Sequence, residues 1–131
     1  MNAHTLTINF EDGYKLKIAG VKFKNVVFTL TADQPMTDLH IVLGDATLQT
    51  VIDIATSLWL CEEGIVDHFV YRLYGPYKLT ITRKEDAVKF SWRHKDGGTT
   101  ITNTWPVSRI REIRDQLATF AKEVLHDERN S

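Results

Sequence analysis

Cysteine is almost missing from this chain: Cys61 is the single one in 131 residues, so no disulfide can form within it. That fits a reducing compartment, because small secreted domains commonly depend on such bridges. Long apolar runs are missing too. Nothing approaches the roughly 20 residues that a membrane-spanning helix requires. The opening MNAHTLTINFEDG alternates in polarity, where a secretion signal would set basic residues before an apolar stretch. The expectation is a cytoplasmic protein with no membrane partner. An excess of charge is also lacking. The net charge of −1 argues against strong nonspecific nucleic-acid binding, which rests on many phosphate contacts and a basic domain.

Motifs of catalysis are absent as well. The chain has no G-x-S-x-G, no G-x-x-x-x-G-K-[ST] and no G-x-G-x-x-G. Its histidines, His4, His40, His68, His94 and His126, form no H-x-x-x-H pair, and one cysteine cannot make a thiolate cluster. No metal, cofactor or catalytic residue is therefore expected. Cys61 is followed by Glu62 and Glu63, and neighbouring carboxylates would raise a thiol pKa and so leave it unactivated. Cys61 reads as a packed or half-buried residue.

What is present is a strong polarity pattern. Hydrophobic residues make up 43% and charged residues 25%, enough for one domain over 1–131 with its own core. Leu6, Ile8 and Phe10 alternate with polar residues, and Asp12-Gly13 is a hairpin signal. Tyr14, Leu16 and Ile18 alternate with Lys15 and Lys17. The phase slips by one residue near Asn25, which predicts a bulge or tight turn there. Val26, Phe28 and Leu30 follow, then Leu39, Ile41 and Leu43. At Gly44-Asp45 the period becomes helical, with Asp45 as the expected N-cap. Leu48, Val51, Ile52, Ala55, Leu58 and Trp59 form the apolar stripe, and Gly64 is the expected stop.

The second half repeats the order. A strand near 65–74 ends at Gly75-Pro76. Tyr77, Leu79 and Ile81 alternate, as do Val88, Phe90 and Trp92. Asp96-Gly97-Gly98 is a turn, and Thr99–Thr104 is a strand by propensity. Pro106 suits the first turn of a last helix bearing Ile110, Ile113, Leu117, Phe120, Ala121 and Val124. YKLKI at 14–18 matches YKLTI at 77–81, and VKF follows each, at 21–23 and 88–90. The pattern predicts an α+β fold of two ββββα halves, antiparallel sheets packed with two helices, with a pseudo-repeat of 1–63 and 64–131.

Two surfaces stand out. Residues 44–64 carry Asp45, Asp53, Glu62 and Glu63 and no basic residue. Opposite the helix stripe lie Asp45, Gln49, Asp53, Thr56 and Glu63. Glu62 falls at the end of the apolar face, and Asp33 and Asp38 could extend the acidic surface. This is either a solvated helix face or a docking site for a basic partner. The outward strand positions carry Lys15, Lys17, Lys22, Lys78, Lys89 and Arg93 with Thr80, Thr82 and Ser91. That face is either solvated or a single-stranded nucleic-acid surface. The aromatics Tyr14, Phe23, Tyr77, Phe90 and Trp92 fall on the inward positions, which removes the stacking platforms such binding uses. The edge 99–104 leaves a homodimer open.

The ββββα-ββββα order resembles the Whirly-type fold of single-stranded nucleic-acid-binding proteins, and the PUR repeat. The Whirly lysine–glycine–lysine–alanine motif has no counterpart in this sequence. A small, motif-free, mildly acidic, β-rich chain with Asp45, Asp53, Glu62 and Glu63 on one segment also resembles the immunity proteins paired with bacterial contact-dependent growth inhibition toxins. That second resemblance implies tight, noncatalytic binding that neutralises one cognate toxin, often a basic nuclease. The expected function is thus a toxin-neutralising immunity protein, with single-stranded nucleic-acid binding as the alternative.

Overall fold

A computed structural model describes residues 4–10, 13–20, 25–34 and 37–129. Four antiparallel strands, β1 (Thr5–Asn9), β2 (Tyr14–Gly20), β3 (Asn25–Gln34) and β4 (Thr37–Thr47), lead into helix α1 (Leu48–Glu62). Four more, β5 (His68–Arg72), β6 (Tyr77–Lys84), β7 (Ala87–His94) and β8 (Thr100–Pro106), lead through a 3₁₀ turn (Val107–Arg109) into α2 (Ile110–Arg129). Each set forms its own meander, in the orders β1-β2-β3-β4 and β5-β6-β7-β8. The fold is α+β, ββββα-ββββα, as the alternation predicts.

Register follows from burial. Leu16 faces Leu30 and Ile18 faces Phe28 in the first sheet. Leu79 faces Trp92 and Ile81 faces Phe90 in the second. All eight are buried. A one-residue slip would turn either set toward water. YKLKI and YKLTI are β2 and β6, and the second VKF lies in β7. The first VKF, with Lys22 and Phe23, lies outside the described residues.

The connection at 21–24, beside the bulge or tight turn predicted near Asn25, lies outside the described residues, and β2 and β3 pair antiparallel on either side of it, with Gly20 opposite Val26; a register irregularity is found elsewhere. Asn25 opens β3 opposite Thr47, and the irregularity lies further along, where Phe28 faces Gly44 but Thr29 faces Val42. Leu43 is the extra residue, so β4 carries the bulge. Its effect is to change phase: Ile41 packs against the core before it, Leu43 is buried at it, Ala46 and Leu48 are buried after it, and Val42 is left exposed. Asp45 therefore sits in a strand and caps nothing. Thr47 is the N-cap of α1, its Oγ1 accepting from the Thr50 N–H at 3.3 Å.

The far end of α1 is closed as predicted. The Gly64 N–H donates to the Cys61 carbonyl at 3.1 Å and the Ile65 N–H to the Leu60 carbonyl at 3.0 Å. This paired return, with Gly64 at a φ of 73°, satisfies carbonyls that the helix itself leaves open. At the other helix the prediction is off by one turn. Pro106 ends β8 and precedes the 3₁₀ turn, and α2 begins at Ile110.

The two meanders close on one core. Phe10 stacks on Trp105 with ring centroids 4.5 Å apart, and Phe28 meets Trp92 edge-on at 6.4 Å. The backbones join at Asp45 and Tyr74, which exchange hydrogen bonds of 2.8 and 2.7 Å. Helices α1 and α2 pack on each other. The six stripe residues of α2 are all buried. Two polar side chains are buried among the described residues, Ser57 and Asn103; the Asn103 Oδ1 accepts from Trp92 Nε1 at 3.0 Å, so neither of those groups is left unpaired.

Candidate functional site

Helix α1 departs most from its predicted face. Leu48, Val51, Ala55 and Leu58 are buried as expected, but Ile54, Ser57 and Cys61 join them. Ile52 is 37% exposed and Trp59 44% exposed. The buried arc is rotated because α1 leans on β5 as well as on α2. Tyr71 of β5 donates its hydroxyl to the Asp53 carbonyl at 2.9 Å and also meets the Ser57 hydroxyl, itself bonded to the same carbonyl at 2.9 Å. Burial pushes the Tyr71 hydroxyl above its usual range. Ser57 is thereby drawn inside.

What remains outside is a continuous surface. On a helix turning about 100° per residue, Trp59, Ile52, Glu63, Thr56, Gln49 and Asp53 fall within an arc of about 120°. Asp53 is braced by Gln49, whose Nε2 donates to Oδ1 at 2.9 Å. Thr56 donates its hydroxyl to the Ile52 carbonyl at 3.1 Å. Asp45, Asp53 and Glu63 are exposed and, among the described residues, make no ion pair. Beside this arc a groove of about 380 Å³ runs between the helices. Ala55, Ala118 and Ala121 form its shallow floor, Ile52, Trp59 and Leu125 its walls, and Arg114, Asp115 and Lys122 its rim.

Not every acidic residue joins this surface. Glu62 turns toward α2, is only 17% exposed, and pairs with Arg111 at 3.1 Å and Arg114 at 3.5 Å. Arg83 of β6 donates to the Cys61 and Glu62 carbonyls, the latter at 3.1 Å. Three guanidinium groups thus meet the negative end of α1 and its last carboxylate. Glu62 is a structural anchor between helices, and the acidic patch is smaller than the sequence suggests. The side chains of Asp33 and Asp38 lie outside the described set.

The lysine-rich positions are divided between the two sheets. Lys15 and Lys17 belong to β2, Lys78 to β6, and Lys89 and Arg93 to β7. They do not make one patch. Within the second sheet, however, Lys78 lies directly opposite Arg93 on one side and Arg72 on the other. Arg72 went unnoticed in the sequence because its neighbours are set by β5 register, which composition does not reveal.

Cys61 is fully buried. Burial pushes its thiol up. Arg83 acts against this, and the contributing carboxylate is Asp67, not the adjacent Glu62 or Glu63. His68 makes its contact with Thr82, at 3.4 Å. Cys61 should therefore resist a thiol-specific chromogenic reagent in buffer and react once denaturant unfolds the chain. Rapid labelling of the native protein would contradict its placement. Among the described residues no three His, Cys, Asp or Glu side chains converge as a metal site, and no helix is long and apolar enough to cross a membrane.

Comparison with protein-family models, curated proteins and solved structures finds no match to this chain.

Proposed function

We propose that the chain is a noncatalytic binding protein, most concretely an immunity protein that binds and neutralises a cognate bacterial toxin with a basic surface. The supporting observation is the outer arc of α1. Two large apolar side chains, Ile52 and Trp59, stand exposed beside two carboxylates, Asp53 and Glu63, that no cation neutralises among the described residues. Exposed aromatic anchors commonly carry most of an interface's energy. Uncompensated charge beside them speeds encounter and selects partners of opposite sign. The groove against α2 gives such a partner a concave apolar seat, and Arg114 on its rim is already paired with Glu62 and Asp115.

The test is protection. The reading frame adjacent to this chain's gene is expressed in a sensitive host, alone and with this chain. Growth arrest by the first, rescued by the wild-type chain and not by Asp53→Arg, is the expected result. Equal rescue by wild type and Asp53→Arg would move the contact off α1, and an innocuous neighbour product would remove the toxin reading.

A further inference from the structure

The outer face of the second sheet has a feature that the α1 surface does not use. Arg72, Lys78 and Arg93 lie side by side across β5, β6 and β7, each directly opposite the next. Like charges opposed in this way repel and weaken a sheet. Among the described residues none of the three has an acidic partner. The same end of the sheet is concave, with a hollow of about 430 Å³ bounded by these three side chains and by the β7–β8 turn, His94 to Gly97.

The turn is built so that its one carboxylate is already occupied. Asp96 accepts from the Gly98 N–H at 2.8 Å and lies 2.8 Å from His94 Nδ1. The Gly98 N–H first, and His94 in addition, hold its carboxyl below the usual range. Lys95 adds a fourth cation at the hollow, its Nζ fixed on the Leu73 carbonyl at 2.7 Å. His94 is set edge-on against Tyr77, centroids 5.1 Å apart. Strands lie about 4.8 Å apart, so the three opposed cations span about 10 Å. An arginine fork at each end and a lysine between them suit tetrahedral oxyanions in sequence, since guanidinium binds phosphate in a bidentate manner and ammonium acts as a point charge.

We infer that this hollow is a phosphate site, which takes a ligand carrying two or more phosphoryl groups and uses Arg72, Lys78 and Arg93 to hold them. The ligand neutralises the repulsion that the sheet otherwise carries. Its phosphates can come from a free diphosphate or nucleotide, or from the backbone of a single strand. Tyr74, two residues beyond Arg72, is 75% exposed and offers a ring for a base in either nucleotide case. The inference is independent of the reading of α1.

Calorimetric titration at low salt decides it, with inorganic pyrophosphate and a short oligothymidylate as probes. The variants are Arg93→Glu, Lys78→Gln, Tyr74→Ala and a Lys15→Glu/Lys17→Glu control on the first sheet. The expected result is binding that falls at least tenfold in Arg93→Glu and several-fold in Lys78→Gln, and is unchanged in the control. Thermal unfolding of Arg93→Glu and Lys78→Gln should be equal to wild type or higher, because each relieves repulsion. That trend would not follow from a merely structural role. Pyrophosphate binding that ignores Tyr74→Ala identifies a free phosphoryl ligand. Binding of the oligonucleotide alone, lost in both Arg93→Glu and Tyr74→Ala, identifies a strand, and its affinity then falls steeply with added salt. Failure of both probes to bind, or equal weakening by the first-sheet control, overturns the site.

Discussion

Trp105→Ala is expected to cost about 3–5 kcal/mol of folding stability, the range for removing a fully buried large aromatic. Domains of this size hold about 5–15 kcal/mol in all, so the variant should be largely unfolded in mild denaturant. Trp105 is fully buried and joins parts far apart in the chain. Its ring stacks on Phe10 at 4.5 Å, meets Phe90 edge-on at 4.5 Å, and its Nε1 donates to the Asn9 carbonyl at 3.3 Å. Truncation removes packing from both sheets and leaves a cavity between them. Trp105→Phe keeps most of the area but gives up the hydrogen bond, and should cost about 1–2 kcal/mol. Urea unfolding followed by circular dichroism checks both. A loss below about 1 kcal/mol for the alanine variant would mean that the two meanders do not share a core.

Gly75→Ala should be nearly as damaging, for a different reason. Gly75 has a φ of 148°, and a Cβ there would stand 2.8 Å from the Cα of Gly44. That neighbour is backbone and cannot swing aside. Gly44, at a φ of 145°, is equally enclosed, its own Cβ falling 2.9 Å from the Cβ of Leu73 and 3.1 Å from the Tyr74 carbonyl. The two glycines allow β4 and the segment after β5 to come close enough for the Asp45–Tyr74 bridge. An alanine adds backbone strain of about 1–3 kcal/mol. It also pries at two hydrogen bonds worth about 1 kcal/mol each. The combined cost should be about 3–5 kcal/mol, seen in urea unfolding, with faster amide exchange at Asp45 and Tyr74 while the rest of the second sheet keeps its protection. Gly64→Ala is the control. Its φ is 73° but nothing lies within 4 Å of the added carbon, so it should cost only about 1–2 kcal/mol. Equal losses at Gly64 and Gly75 would mean that close approach at the seam contributes nothing.

These glycines mark the boundary between what local sequence encodes and what packing decides. Gly44-Asp45 and Gly75-Pro76 are visible as breaks in periodicity, so the eight strands and two helices can be placed in order. That the two breaks meet each other is a fact of packing, and no local pattern encodes it. The stripe of α2 is legible because one amphipathic face fills one core. The stripe of α1 is only partly legible. Ile52 and Trp59 have helical spacing, but whether a partner covers them depends on where α2 and β5 lie. The same limit explains Asp45 and Thr47. Both are good capping residues two positions apart, and the bulge at Leu43, which decides between them, is set by register with β3. Glu62 reads as part of an acidic run until Arg111 and Arg114, some fifty residues later, are found beside it. The row of Arg72, Lys78 and Arg93 needs strand pairing to appear at all.

The outer arc of α1 is the proposed surface for a protein partner. Its most direct test is calorimetric titration of the purified neighbouring gene product with the wild-type chain, Trp59→Ala, Asp53→Arg and the first-sheet control Lys17→Glu. The expected outcome is a one-to-one complex that weakens by about 2 kcal/mol or more in Trp59→Ala, as for an anchor residue, and by at least tenfold in Asp53→Arg, with Lys17→Glu unchanged and all four proteins melting alike. No complex with the wild-type chain, or a complex indifferent to Trp59 and Asp53, would contradict it.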